Sequence, residues 1–449
     1  MGESDGASQL QAGLTRALGR AGMGAPGGLA RLTGGATMES WRFEADREPF
    51  VLRRAPSLSF LEDRPFGHDT EAALIRAAGG AGVRAPDVVV ELQGEDGIGS
   101  GFIMRALPGT PDPRAIQRMD KPERLLAECA AQLADIHGIA RKDVPADVPV
   151  MNYGEAIAKL REQFEEAGGD RPILALSLKW LQDNCPAPVE PVLNHGDFRL
   201  GNLLVEEGRL TGVLDWELAH FGDWHEDLAF GCMPVWRFGA YERPALGLGS
   251  LEDYFAAYEA AGGRPVDRAR FRFWTIYRMV WWALGCLRNA QMWRSGDDRM
   301  LERVVISRRT SEQELDLLLL LEEEAPEAER TAPVTAPYAA WPGHGEATSG
   351  EIARAVSEWL GTIKARMEGH DRFQLAVARN ALGMIARDDS LLPRTMNLDL
   401  AAALLAGDAS LDSAGLLATL RADALEKLEA DVPKYPALAV ARRKWLGEN

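Results

Sequence analysis

Between residues 191 and 216, a chain otherwise rich in helical patterns contains one compact β-rich island. It opens with Asn194-His195-Gly196-Asp197-Phe198-Arg199-Leu200-Gly201-Asn202. Leu203-Leu204-Val205 follows, then a polar turn at Glu206 to Arg209, then Leu210 to Leu214 leading into Asp215-Trp216-Glu217. Two apolar runs about a polar turn predict a hairpin. Such a hairpin returns the chain so that Asp215 lies beside Asn202. Any fold built on this chain must therefore bring two carboxylates and an amide together at one strand-loop junction.

The flanking segments divide in character. A leading helix is expected from Gln9 to Met23, followed by a glycine-rich run through Gly34 and Gly35. Trp41 to Ala45 and Phe50 to Arg53, joined around Asp46 to Pro49, read as one antiparallel hairpin; Asp87 to Val90 and Gly101 to Met104 read as another. A helix carrying Glu71, Leu74 and Ile75 lies between them. After Leu107-Pro108-Gly109 the periodicity becomes helical, at Lys121 to Ile139, Tyr153 to Glu166, Ser250 to Ala261, Arg270 to Arg294 and Ser311 to Glu323. From Glu322 to Thr348 the chain turns acidic and then proline-rich, which reads as an exposed linker. Beyond it Ile352, Val356, Leu360, Ile363 and Met367 repeat at helical spacing. The domains expected are 1–107 as an N-terminal strand-rich lobe, 108–323 as a largely helical lobe, 324–347 as linker and 348–449 as a helical accessory domain.

Composition narrows the class. With 449 residues, 46% apolar and 26% charged, the chain is an ordinary globular one of two or three domains. A net charge of -17 argues against a nucleic-acid partner, since neutralising phosphates needs a basic face. The most apolar stretch, Met279 to Leu287, is too short to span a membrane, and Met1 to Leu18 lacks the apolar run of a signal peptide. Cys129, Cys185, Cys232 and Cys286 show no metal-type pairing and suit reduced thiols in a cytoplasmic enzyme.

His-x-Asp, four residues, then Asn is the spacing of a kinase catalytic loop. Phosphoryl transfer needs a carboxylate to orient and deprotonate the attacking hydroxyl, and hard oxygen ligands for magnesium on the nucleotide phosphates. Asp197 fits the first task; Asn202 and Asp215 fit the second. His195, in the same catalytic stretch, reads as an organiser of the loop more than a proton carrier. Asp227 is placed to brace that loop by hydrogen bonding.

The stretch from His195 to Ala229 resembles the signature of the aminoglycoside phosphotransferase and choline-kinase-like family, and the resemblance covers roughly Leu10 to Glu323. It implies an α+β, two-lobed protein-kinase-like fold, here with an additional C-terminal all-α domain. It implies ATP or GTP and Mg²⁺ as cofactors and a small-molecule hydroxyl as acceptor. Gly34-Gly35-Ala36-Thr37 would cover the phosphates, Arg53 would stand where a phosphate-binding lysine is usual, paired with Glu71, and Met104 to Leu107 would form the interlobe hinge against adenine. The glycine loop lacks the spaced three-glycine pattern of protein kinases, and arginine presents a broader planar fork than lysine. The chain is also similar to kinase-like domains found beside acyl-CoA metabolic enzymes, which hints at a hydroxylated acyl or CoA-linked acceptor. Residues from about Gly345 onward resemble an uncharacterised helical domain that accompanies such kinases.

Plainer readings stand beside these. The motif could be a polar turn between buried strands, Arg53 and Glu71 a structural ion pair, and Gly34-Gly35 only a tight turn. His137 reads as a satisfied packing residue. His68, His220, His225, His344 and His370 show no ligand spacing. Trp274, Arg278, Trp281 and Trp282 are core by default, but on one helical face they would make a basic aromatic wall for an anionic or aryl acceptor. A nucleotide-binding regulator without turnover, acting through the C-terminal helices, is the competing function; a homo-oligomer through those helices, or an assembly scaffold, is a further possibility.

Overall fold

The computed structural model describes residues 3–32, 38–55, 64–298, 300–334, 349–388 and 397–448. Gly34 and Gly35, and with them the expected phosphate-covering loop, lie outside the described residues. The chain forms two compact units, one of Met1–Met151 with Ala187–Phe271 and one of Asn152–Pro186 with Arg272–Asn449.

The first unit begins with the helix Glu3–Arg20 and a five-stranded antiparallel sheet. Its strands are β1 (Gly27–Arg31), β2 (Glu39–Ala45), β3 (Glu48–Ala55), β4 (Val88–Glu91) and β5 (Ser100–Arg105), in the order β1-β2-β3-β5-β4. The β2–β3 turn is made by Asp46 and Arg47, both at positive φ (52° and 68°), the conformation that matches a two-residue turn to strand twist. One face of the sheet packs on the leading helix through Leu10, Leu14, Leu18, Phe43, Phe50 and Leu52. The helix His68–Gly80 carries Glu71, which is fully buried. Helices Pro122–His137 and Leu251–Ala260 pack together in the same unit.

Two small two-stranded sheets hold the predicted island: β6 (Val192–Asn194) with β9 (His220–Gly222), and β7 (Leu203–Glu206) with β8 (Arg209–Val213). The β7–β8 pair is the hairpin expected from the sequence, with Leu203 opposite Val213. The link from β5 into this region is fixed by Thr110 and Val205, which exchange backbone hydrogen bonds at 2.9 and 3.1 Å.

The second unit is all helical among its described residues. Its centre is the helix Thr310–Leu321, with Leu315, Leu317, Leu318 and Leu321 fully buried. Charged groups on it are buried too, and are paired as burial requires: Glu314 with Arg171 at 3.0 Å, and Asp316 accepting from the Tyr435 hydroxyl. The stretch expected to be an exposed linker starts with helical turns at Glu322–Glu324 and Glu327–Thr331. Glu322 is 1% exposed and accepts from Arg421 at 2.9 Å and from the Trp445 indole at 2.8 Å. The C-terminal helices thus share a core with Thr310–Leu321. The fold is the two-lobed, protein-kinase-like α+β type with an all-α C-terminal region.

Candidate active site

The 194–202 segment is held as a loop by buried hydrogen bonds. Gly196 has φ +83°, and a Cβ there would overlap the Leu218 carbonyl oxygen, so only glycine fits. Asp227, from the helix Trp224–Phe230, accepts from the backbone N–H of His195 at 2.6 Å and of Gly196 at 2.8 Å. Burial alone would raise its pKa, but the hydrogen bonds from His137 and from the Gly196 N–H hold it down, at about 2. His137 also meets the Tyr258 hydroxyl at 2.7 Å, so it is a satisfied buried residue that supports the brace.

His195 is fully buried. Its Nδ1 accepts from the Asp197 N–H at 3.2 Å and its Nε2 lies 3.1 Å from the Leu214 carbonyl. With one nitrogen accepting and the other donating, the ring is neutral; burial lowers its pKa, which agrees. It ties the loop to the end of β8 and faces Trp216 at 4.7 Å.

Asp197 carries a carboxylate held from two sides. Arg199 Nε donates to Oδ1 at 2.8 Å and Asn202 Nδ2 donates to Oδ2 at 2.6 Å. Each oxygen keeps lone-pair capacity. Burial raises the Asp197 pKa, and Arg199 opposes the rise. The Arg199 guanidinium lies 4.4 Å over the Trp236 ring, a cation–π seat. Gly201 leaves room for it, because a Cβ there would strike Arg199 Nη1.

Asp215 follows β8 and has φ +70°, a left-handed conformation uncommon for a residue with a Cβ. The Leu214 N–H donates to the Asn202 carbonyl at 2.8 Å, which sets Asp215 next to the Asn202 turn. Asn202 Oδ1 and Asp215 Oδ2 accept no hydrogen bond from the described residues. These two hard oxygens, beside a second acid at Glu217, fit a divalent cation in donor chemistry.

Arg53 reaches from β3 to this acidic edge. Its Nη2 lies 2.7 Å from Asp215 Oδ1 and 2.5 Å from Glu217 Oε2. Its Nε is 3.1 Å from Glu71 Oε1, an ion pair without hydrogen-bond alignment. Burial pulls the guanidinium pKa down, but Asp215, Glu71 and Glu217 outweigh it and hold it well above an ordinary arginine. Burial and the Asp215 charge push Glu217 up, to about 7, while burial of Asp215 is outweighed by Arg53 and Arg199, which keep it low.

The structure brings together Asp197, Asn202, Asp215, Arg53 and Glu71. Met104 sits half-buried on β5, paired across from Val51 of β3 and Val88 of β4. Three participants had no role in the sequence reading. Glu217 and Arg199 stand two residues after Asp215 and Asp197, a spacing that could have flagged them. Arg64 pairs with Glu217, and with Glu71 at 3.4 Å; no local pattern marks it. Trp274 is fully buried and Arg278, 4% exposed, lies over Trp281 at 5.0 Å. Trp274 is therefore core and not part of an open aromatic wall.

Comparison with known proteins agrees with this fold. The mouse acyl-CoA dehydrogenase family member 10 is 30% identical over 251 residues, covering 51% of this chain; the match spans only 23% of the mouse protein's own length. A crystal structure from Ralstonia eutropha JMP134, assigned as an aminoglycoside phosphotransferase, superposes with a TM-score of 0.55 at 20% identity, covering 70% of this chain and 97% of that one. A thermostable mutant of aminoglycoside phosphotransferase APH(4)-Ia, in ternary complex with AMP-PNP and hygromycin B, superposes with a TM-score of 0.51 at 16% identity, covering 71% and 99%. Among the described residues no helix is long and apolar enough to cross a membrane. The match to the phosphotransferase enzyme family runs over residues 28–274 and takes in every side chain of the Arg53–Asp197–Asp215 site, so this chain belongs to that family.

Proposed function

We propose that the chain moves the γ-phosphoryl group of ATP, or GTP, to a hydroxyl of a small molecule. The carrying observation is Asp197, fixed between Arg199 and Asn202 on the same loop junction as Asp215 and its partner Arg53. In this reading Asp197 orients the acceptor hydroxyl and takes its proton; burial, which raises its pKa, makes it the better base. Asn202 Oδ1 and Asp215 would hold Mg²⁺, which neutralises charge on the nucleotide phosphates when bound. Arg53, steadied by Glu71, contacts the α- and β-phosphates. Gly34 and Gly35 cover them, and Met104 to Leu107 contacts adenine. His195 keeps the loop in shape.

The acceptor class in this reading is an acyl-CoA-type or other anionic or aryl alcohol. Its support is the mouse relative, whose name places a matching segment within an acyl-CoA dehydrogenase family member. The reading also keeps the lobe, linker and accessory divisions at 107, 323 and 347, a cytoplasmic location and a homo-oligomer through the C-terminal helices.

The test is a screen for magnesium-dependent phosphorylation over a metabolite extract, hydroxyacyl-CoA esters and aminoglycosides, with Asp197→Ala as control. Turnover of a CoA ester, lost in the control, supports the reading. Turnover with aminoglycosides alone sinks the acceptor class. One observation favours a second reading, a nucleotide-binding regulator without turnover acting through the C-terminal helices: Arg53 is engaged by three carboxylates. Nucleotide affinity unaffected by Asp197→Asn, with no transfer to any acceptor, would select it.

A further inference from the structure

Arg199 holds the candidate base, yet most of its guanidinium is unspent. Its Nε donates to Asp197 Oδ1 at 2.8 Å, and Nη2 reaches Oδ2 only at 3.5 Å. Of the five N–H groups a guanidinium carries, both on Nη1 and one on Nη2 therefore meet no acceptor among the described residues. The side chain is not loose. The Trp236 ring backs it at 4.4 Å, and Gly201, with no Cβ to displace Nη1, leaves it room. At 22% exposure the group is fixed in place and still reachable. Bracing Asp197 uses the Nε side of the fork. The Trp236 seat and the gap at Gly201 fix the Nη1 side as well, which bracing does not require.

That free side borders the metal end of the site. Nη1 lies against Gly201, the residue before Asn202. Burial would raise the Asp215 pKa, and Arg53 and then Arg199 pull it down, so the charge of Arg199 is felt at Asp215 as well as at the base. In-line transfer puts phosphorus between the acceptor oxygen at Asp197 and the metal-bound phosphates. Three N–H donors on a seated cation suit an oxyanion, and the oxyanion that must come to this place is the phosphoryl group. In transfer the acceptor oxygen forms its bond to phosphorus and gives its proton to Asp197. The bond from phosphorus to the β-phosphate oxygen breaks and leaves its electron pair on the diphosphate. Asp197 is then neutral, and Arg199 keeps a positive charge without its counter-charge, beside the phosphoryl oxygens.

We propose that Arg199 is a catalytic residue whose Nη1 and Nη2 groups bind the oxygens of the transferred phosphoryl group, with Trp236 as the seat that aims them. The proposal rests on the phosphotransfer reading. It adds to Arg53 a second cation, one that serves the moving group and not the α- and β-phosphates.

Binding of MgADP with aluminium fluoride, a mimic of the moving phosphoryl group, tests it on the full chain without an acceptor. In titration calorimetry, wild type should bind MgADP about a hundredfold or more tighter when aluminium fluoride is present. Arg199→Met should bind MgADP as wild type does and lose at least about tenfold of that gain. Arg199→Lys, which keeps the charge but not the fork, should retain part of it; if Arg199→Met binds no MgADP, the lysine variant decides. Asp197→Ala separates contact from bracing, and should retain the gain because Arg199 is still present. An equal loss in Asp197→Ala and Arg199→Met overturns the proposal and leaves Arg199 as a positioning residue. A full gain in Arg199→Met overturns it too, as does a wild type to which fluoride adds nothing. In all three of those results the nucleotide still binds and the phosphotransfer reading stands; a wild type that binds no MgADP sinks both.

Discussion

Arg53 and Asp215 are 162 positions apart in the chain and 2.7 Å apart in the fold. The same guanidinium meets Glu71 and Glu217, and Arg64 completes a cluster of two cations and three carboxylates. Such a cluster tolerates the exchange of a partner better than the loss of one. When a buried pair is broken from one side, the surviving charge is left uncompensated.

Arg53→Met should therefore lower stability by about 3–5 kcal/mol and abolish nucleotide binding. Arg53→Lys keeps the charge but not the fork, and one ammonium cannot serve Glu71 and Asp215 in the same geometry. It should fold, with a melting temperature between those of wild type and Arg53→Met, and bind nucleotide more weakly. Calorimetric melts and nucleotide titrations check both. A lysine variant that binds as tightly as wild type would show that the planar fork is dispensable.

Asp227 offers a second test, because its two oxygens serve two different N–H groups. In Asp227→Asn one oxygen becomes a donor, and a buried N–H of His195 or Gly196 loses its acceptor, at about 2–3 kcal/mol. The sign with pH follows from the depressed value of about 2. Its stabilisation is complete above the ordinary aspartate range and is lost as pH falls through about 2. The wild-type advantage over Asp227→Asn in chemical denaturation should thus be constant from neutrality down to about pH 4 and shrink below it.

Gly196→Ala isolates backbone geometry from charge. The residue sits at φ +83° with the Leu218 carbonyl where a Cβ would go. The substitution should cost at least about 2 kcal/mol and disturb the placement of Asp197. A variant with wild-type stability would mean that the loop can relax without glycine.

How far the sequence disclosed all this depends on distance along the chain. Asp197, Asn202 and Asp215 were legible because the hairpin that joins them is local and its strands are contiguous apolar runs. Arg53 with Glu71 was legible through family likeness alone. Arg64 with Glu217 was not, since nothing near either residue encodes a partner about 150 positions away. Strand β1, Gly-Gly-Leu-Ala-Arg, lacks alternation and sits at the sheet edge, so its residues read only as part of a glycine-rich run. The helix Pro172–Asp183 was missed because Ile173 through Leu178 are all buried, which erases the 3.6-residue pattern. The helix Ser349–Ile363 shows the converse limit. Its periodicity fixed a stripe, but whether a stripe is covered is a tertiary fact.

Lys427 provides a readout for the second unit. It pairs with Asp431, which also takes Arg308, and both Asp431 and most of the lysine are buried. Burial pulls the ammonium down, with the Arg308 charge adding and Asp431 opposing, to about 8 from an ordinary 10.5. Between those values the unfolded chain holds a proton that the folded chain has released. Stability should therefore rise with pH across that window, by up to about 3 kcal/mol from this group, and be flat on either side. Lys427→Met removes the titrating group while Arg308 still neutralises Asp431. Its unfolding free energy should lack the rise seen in wild type between pH 8 and 10.5, measured by urea denaturation at fixed ionic strength. A rise that persists in Lys427→Met would place its origin elsewhere in the chain.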